Sequence, residues 1–81
     1  MRRRVMAANW KMYKTAQDAT DFFEQLKAQP VPSAGKCELV VCPPALAIPA
    51  AVAATSGTET AIGGQNVFWE REGAFTGEIS P

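Results

Sequence analysis

Histidine is absent from these 81 residues. That removes a zinc site of the usual kind, a serine or cysteine nucleophile paired with imidazole, and an imidazole acid or base within this stretch. Cysteine is scarce, with Cys37 and Cys42 alone. On one extended strand five residues span roughly 16 Å and place the two thiols on opposite faces, so they do not pair with each other. Two unpaired thiols suit a reducing cytoplasm. Net charge is missing as well, with eight basic against eight acidic side chains. Such a balance gives no electrostatic case for nucleic acid or an anionic membrane as a partner, and Arg2-Arg3-Arg4 reads as a solvated strand entrance. Neither a GxGxxG nor a GxxxxGK[ST] pattern follows the first apolar run, which counts against a dinucleotide or P-loop fold.

Long apolar runs are also lacking. Val5-Met6-Ala7-Ala8 after the arginines imitates the start of a signal peptide, but Asn9 and Lys11 stop it after four residues. The stretch from Leu39 to Thr58 carries no charged side chain and approaches the length of a membrane span. Pro43, Pro44 and Pro49 argue against one continuous helix there. A buried strand running into a buried helix is expected instead.

What is present is the composition of a soluble globular protein, 47% hydrophobic and 20% charged. The length allows one domain at most, and a chain this short buries only a little over ~60% of the surface it exposes when unfolded, so its core is marginal. Val5 to Ala8 is a continuous apolar run of the kind found in parallel strands covered on both faces, and strand one is placed at about 4–10. Thr15 stands as an N-cap with Asp18 three residues on, and Ala16, Ala19, Phe22, Phe23 and Leu26 recur at helical spacing, giving helix one at about 16–28. Pro30 and Pro32 are expected to end it. A second buried run, Leu39-Val40-Val41-Cys42, gives strand two at about 37–42, and Pro43-Pro44 leads into an alanine-rich helix two at about 45–55. That helix has no polar face and expects neighbours on more than one side. Ala61-Ile62-Gly63-Gly64 marks a weaker strand three at about 59–64, followed by a loop at about 67–78.

Strand, helix, strand, helix, strand implies parallel pairing through right-handed crossovers within a single partial domain. At about 32 residues per unit, eight units need ~260, close to the size of a (β/α)₈ barrel. A flavodoxin-like sheet begins the same way, and spacing alone does not separate the two.

Ligands in both architectures meet the carboxyl ends of the strands, which here offer Asn9, Lys11, Cys42 and Gln65-Asn66. Alternation puts Asn9 and Lys11 on one face and Trp10 on the other. An amide beside an ammonium can bind an anionic substrate and stabilise negative charge developing on a carbonyl oxygen, whereas the plain alternative makes Lys11 a solvated residue opening a loop. Gly63-Gly64 reads as backbone packed closely against its neighbours. In the loop, Gly73 and Gly77 bracket a small apolar tip. An exposed Phe75 at that tip suggests insertion into a partner's pocket; the alternative is that Phe75 folds back onto its own domain.

Four motifs now stand in order: Asn9-Trp10-Lys11-Met12, Cys42-Pro43-Pro44, Gln65-Asn66-Val67 and Gly73 to Ser80. Together they resemble the triosephosphate isomerase family over essentially all 81 positions, with Tyr13 and Gly64 as mild departures. The resemblance implies the first strand-helix-strand-helix-strand portion of a (β/α)₈ barrel. It also implies interconversion of dihydroxyacetone phosphate and glyceraldehyde 3-phosphate through an enediolate, in glycolysis and gluconeogenesis, with no metal or organic cofactor. Lys11 would be the cation on the substrate's phosphate and on the enediolate charge, Asn9 its substrate-contacting neighbour, and Trp10 a weaker member of the substrate loop. Phe75, Thr76, Gly77 and Glu78 would form a homodimer interface, with Thr76 reaching the partner's strand-one asparagine. The electrophilic histidine and the glutamate base would lie beyond Pro81, so the 81 residues alone are expected to be inactive. Glu70, Glu72 and Glu78 are not nominated as a substitute base, because nothing fixes one within proton-transfer reach of Asn9 and Lys11. A non-catalytic chain that orders by self-association through its open sheet is the alternative.

Overall fold

The computed structural model describes residues 2–29 and 36–81. Three parallel strands form one sheet in the order β1-β2-β3: β1 Val5–Asn9, β2 Glu38–Cys42 and β3 Ala61–Ile62. Between them run α1, Ala16–Ala28, and α2, Ile48–Ala54. Parallel neighbours cannot be joined by a tight turn, so each connection crosses over, and a helix is what fills it. The register sets Ala7 beside Val40 and Val40 beside Ala61, and sets Asn9 beside Cys42.

The helix begins where its donors find partners. Asp18 N–H donates to Thr15 Oγ1 at 3.2 Å and Thr15 N–H donates to Asp18 Oδ2 at 3.0 Å, a reciprocal capping box. The Thr15 N–H first, then the Thr15 hydroxyl, hold the Asp18 carboxyl below its ordinary 3.8, with a further contribution from the Lys14 ammonium. Ala19 and Phe23 are the buried positions of this helix. Its sequence-expected stops, Pro30 and Pro32, lie outside the described residues.

Both helices pack on one face of the sheet. Ala19 and Phe23 of α1 meet Val41 of β2 and Ala47, Ala51 and Ala54 of the second connection, with Ala8, Trp10, Leu26, Leu39 and Ile62 against them. Full burial of Phe23 alone stabilises this core by about 1.5–3 kcal/mol. Alternation leaves Ala7, Asn9, Val40, Cys42 and Ala61 on the other face, which no element among the described residues covers.

The second connection departs from a single helix over 45–55. A 3₁₀ turn at Ala45–Ala47 precedes the α-helix. Pro49 has no N–H to give the Ala45 carbonyl, so regular helix starts around the proline, where a missing donor costs nothing. Helix α2 meets both α1 and β3, the neighbours on more than one side that its lack of a polar face leads one to expect. Ala51 and Ala54 are buried, whereas Leu46 is 93% exposed and Val52 is exposed too. Strand three is shorter than 59–64. Thr58 Oγ1 donates to Thr55 O at 2.6 Å and accepts from Thr60 N–H at 3.3 Å, so those residues form a turn off the helix end instead of a strand. Strand two starts at Glu38 and not Cys37, whose thiol lies 3.5 Å from the Glu38 carbonyl. Both cysteines are free. At the strand entrance Arg3 Nη2 lies 3.2 Å from Glu38 Oε1 with both side chains exposed, a pair worth little. No helix among the described residues is long and apolar enough to cross a membrane.

Candidate functional site

Sheet alternation separates the residues at the end of β1. Trp10 points to the helices, its ring edge-on to Phe22 at 5.1 Å and stacked near Phe23 at 5.8 Å. Trp10 is thereby an anchor from which the next residues leave the sheet. Its N–H still donates to Cys42 O at 3.1 Å, extending the ladder one residue past Asn9. Lys11 then turns sharply, with φ of 58°, and Lys14 follows with φ of 80°. Left-handed backbone at a residue with a Cβ costs roughly 1–2 kcal/mol, so something must hold it.

Two side chains do so at Lys11. Its N–H donates to Asn9 Oδ1 at 2.8 Å, and its carbonyl accepts from Gln65 Nε2 at 2.8 Å. The Asn9 bond fixes which end of that amide is spent: the oxygen faces Lys11, which leaves the Asn9 NH₂ as a donor with no hydrogen-bond partner among the described residues. A free donor beside an ammonium is the polarity an anion or a developing oxyanion requires. Asn9 and Lys11 line an open groove with Trp10, Tyr13, Lys14 and Phe22. The site therefore gathers two cations and one amide at the carboxyl end of β1.

Cys42 and Gly63 floor the adjacent strand ends. A Cβ on Gly63 would stand 3.3 Å from Cys42 Sγ and 3.8 Å from Val40, so glycine there permits the close approach of β3 to β2.

The loop beyond β3 is built differently. Phe68 N–H donates to Ile79 O at 2.8 Å and closes it. Phe68 stacks on Trp69 at 4.2 Å and against Phe75 at 4.4 Å, and Phe75 lies across Gly73, where a Cβ would come within 2.5 Å of the ring. Phe75 is thus folded back and 47% exposed, not a free projecting tip. This is the alternative in which Phe75 folds back onto its own domain, against the Phe68 ring. Thr76, Gly77 and Glu78 remain exposed beyond it, with Gly77 at φ of 87° and Glu78 Oε2 accepting from Asn66 Nδ2 at 3.5 Å. Glu70, Glu72 and Glu78 line a small pocket with Phe68, Gly73, Phe75 and Ser80. Among the described residues no hydrogen bond or ion pair links any of these carboxylates to Asn9 or Lys11, and no group of three or more His, Cys, Asp or Glu side chains is placed to hold a metal ion.

Two features escape a reading of the sequence. Gln65 stands there among the strand-end groups without a role; the available signal is a long amide immediately after a glycine pair that ends a strand. Met12 and Leu46 are 95% and 93% exposed, each just past the carboxyl end of its strand, and isolated apolar residues in loops give no pattern to read.

A family model described as triosephosphate isomerase matches residues 4–81. The chain is 51% identical over 80 residues to the triosephosphate isomerase of Solibacter usitatus (strain Ellin6076), a match covering 99% of this chain and 32% of that protein. The chain thus spans about a third of the length of the curated relative it matches.

Proposed function

The chain belongs to the triosephosphate isomerase family, and from that premise we propose that these residues supply the phosphate-holding part of an isomerase site for dihydroxyacetone phosphate and glyceraldehyde 3-phosphate. The parallel sheet with its helices on one face is then the opening portion of a (β/α)₈ barrel. The observation that carries the reading is the left-handed Lys11, held beside Asn9 at the carboxyl end of β1.

In this reading the Lys11 ammonium holds the substrate phosphate and offsets charge on the enediolate, while the free NH₂ of Asn9 donates to the substrate oxygen that gains charge. Trp10 contributes as a weaker member of the substrate loop, anchored on Phe22 and Phe23 of α1. The proton is moved by groups outside these 81 residues, and the chain prepared alone does not isomerise. No metal or organic cofactor takes part. The protein works in the cytoplasm within glycolysis and gluconeogenesis, with neither nucleic acid nor membrane as partner.

The homodimer belongs to the same reading. The Thr76-Gly77-Glu78 turn reaches a second copy, and Phe75 supports the turn from beneath. Met12 and Leu46, exposed at the same end of the sheet, supply the apolar ground on which that turn lands.

The test is a full-length hybrid in which residues 1–81 replace the matching segment of the Solibacter usitatus relative. Triose phosphate turnover by the hybrid, absent from the 81-residue chain alone, is the expected result. A folded hybrid that binds no inorganic phosphate and turns nothing over would sink the reading. A second reading, a non-catalytic chain that self-associates, is favoured by the uncovered face of Ala7, Val40 and Ala61 and by the open edges of β1 and β3. Light scattering on the 81-residue chain separates them, because a well-folded monomer contradicts self-association.

A further inference from the structure

The geometry points to Gln65 as a positioning residue that locks the left-handed backbone of Lys11 and so aims its ammonium at the bound anion, an inference that rests on the isomerase reading above. Gln65 Nε2 donates to Lys11 O at 2.8 Å and to Cys42 O at 2.9 Å. A primary amide has two N–H donors, and here each carbonyl takes one. Cys42 O also accepts the Trp10 N–H at 3.1 Å. One side chain from the end of β3 therefore ties the end of β1 to the end of β2.

The chemistry of the partners fixes the side chain's polarity. Both are carbonyl oxygens, so only the NH₂ end of Gln65 can face them. The clip also acts where the backbone needs it. A non-glycine residue keeps a sparsely populated conformation only when its surroundings over-determine it. Lys11 meets that condition, with its N–H held by Asn9 and its carbonyl held by Gln65. Lys14 is also left-handed, yet among the described residues no side chain bonds to its peptide. The restraint is specific to the lysine next to Asn9.

Gln65 touches no substrate in this scheme and acts through Lys11. Gln65→Met keeps the length and removes both donors. In the hybrid it is expected to lower kcat/KM by about a hundredfold, the scale of a misplaced contact group, mainly through KM, and to weaken inhibition by inorganic phosphate in parallel. In a Lys11→Ala background the same substitution is expected to add nothing, since there is no ammonium left to aim. Full additivity of the two, or an unchanged KM, would overturn the inference.

A second measurement does not depend on activity. In the 81-residue chain, Gln65→Met is expected to speed hydrogen exchange at the Trp10 and Lys11 amides by roughly tenfold, as expected for loss of a supporting hydrogen bond, while Phe23 in α1 is unaffected. Unchanged exchange at Lys11 would also overturn it. If the unsubstituted hybrid is inactive while exchange at Lys11 responds, the isomerase reading fails and the clip stands.

Discussion

The turn after β1 and the loop after β3 both pass through left-handed backbone, and they reach it by opposite means. At Lys11 and Lys14 the residues carry side chains, and at Lys11 the turn is held from far along the chain, by Gln65 just past β3 at the opposite edge of the sheet. At Gly73 and Gly77 there is no Cβ, and the loop is held by its own residues, through Phe68, Phe75 and Ile79. A lysine in left-handed backbone makes sense where its ammonium must be delivered at that point. Glycine suffices where the chain has only to bend. The turn therefore depends on the whole sheet being assembled, whereas the loop depends on its own rings.

The largest effect is expected at the ammonium. In the hybrid enzyme, Lys11→Ala is expected to lower kcat/KM by about 10²–10³-fold, the scale of one lost electrostatic partner. Thermal unfolding should shift little or rise, because alanine removes a solvated charge and leaves the backbone strain in place. Activity surviving within a few fold would reduce Lys11 to a solvated residue of a turn.

The loop is tested next, at its two glycines. Gly73→Ala puts a methyl 2.5 Å from the Phe75 ring in backbone that already disfavours a side chain. The ring must leave, uncovering Phe68, so the loss of loop order should exceed that of Gly77→Ala. At Gly77 nothing lies within 4 Å of the new methyl, and only the backbone cost of about 1–2 kcal/mol remains. Hydrogen exchange at the Phe68 amide, which closes the loop, reads both. Equal effects would mean that the Phe75 ring does not hold the loop.

The sequence carries more of the turn's scaffold than of the turn itself. Parallel strands and their helices are legible because continuous apolar runs and the Thr15 to Asp18 spacing are local patterns. The side of the sheet taken by Asn9 and Trp10 is legible too, since alternation follows from extended backbone. The Gln65 clip is not, because it joins residues 54 apart and depends on three strands meeting in register. The fold of Phe75 onto Phe68 is hidden for a related reason: two aromatic rings in a glycine-rich loop have no period that says which one turns inward. Strand three is shorter than its sequence suggests because Thr58 and Thr60 have strand propensity, and a hydroxyl bond from Thr58 to the Thr55 carbonyl outweighs it.

Helix α1 offers a control that touches neither loop. Thr15→Ala removes the acceptor for the Asp18 N–H and is expected to destabilise the helix by about 1 kcal/mol, seen as faster exchange at the Asp18 and Ala19 amides. Protection at Lys11 should not follow, since Gln65 and Asn9 hold that turn from the sheet.

The smallest effect is in pH. The Asp18 carboxyl is held below its ordinary 3.8 by the Thr15 N–H, so the folded state binds its proton less readily than the unfolded chain. The cap's contribution is therefore complete above the unfolded value, declines as pH falls toward the depressed folded value, and is gone below it. Asp18→Asn keeps a side-chain oxygen for the Thr15 N–H but cannot titrate. It should flatten the acid limb of helix stability between those two values, followed by circular dichroism, while leaving the behaviour above pH 5 nearly level. An acid limb unchanged by Asp18→Asn would assign it to another carboxylate. It would leave the capping box as a hydrogen-bonded start to the helix whose charge does not matter.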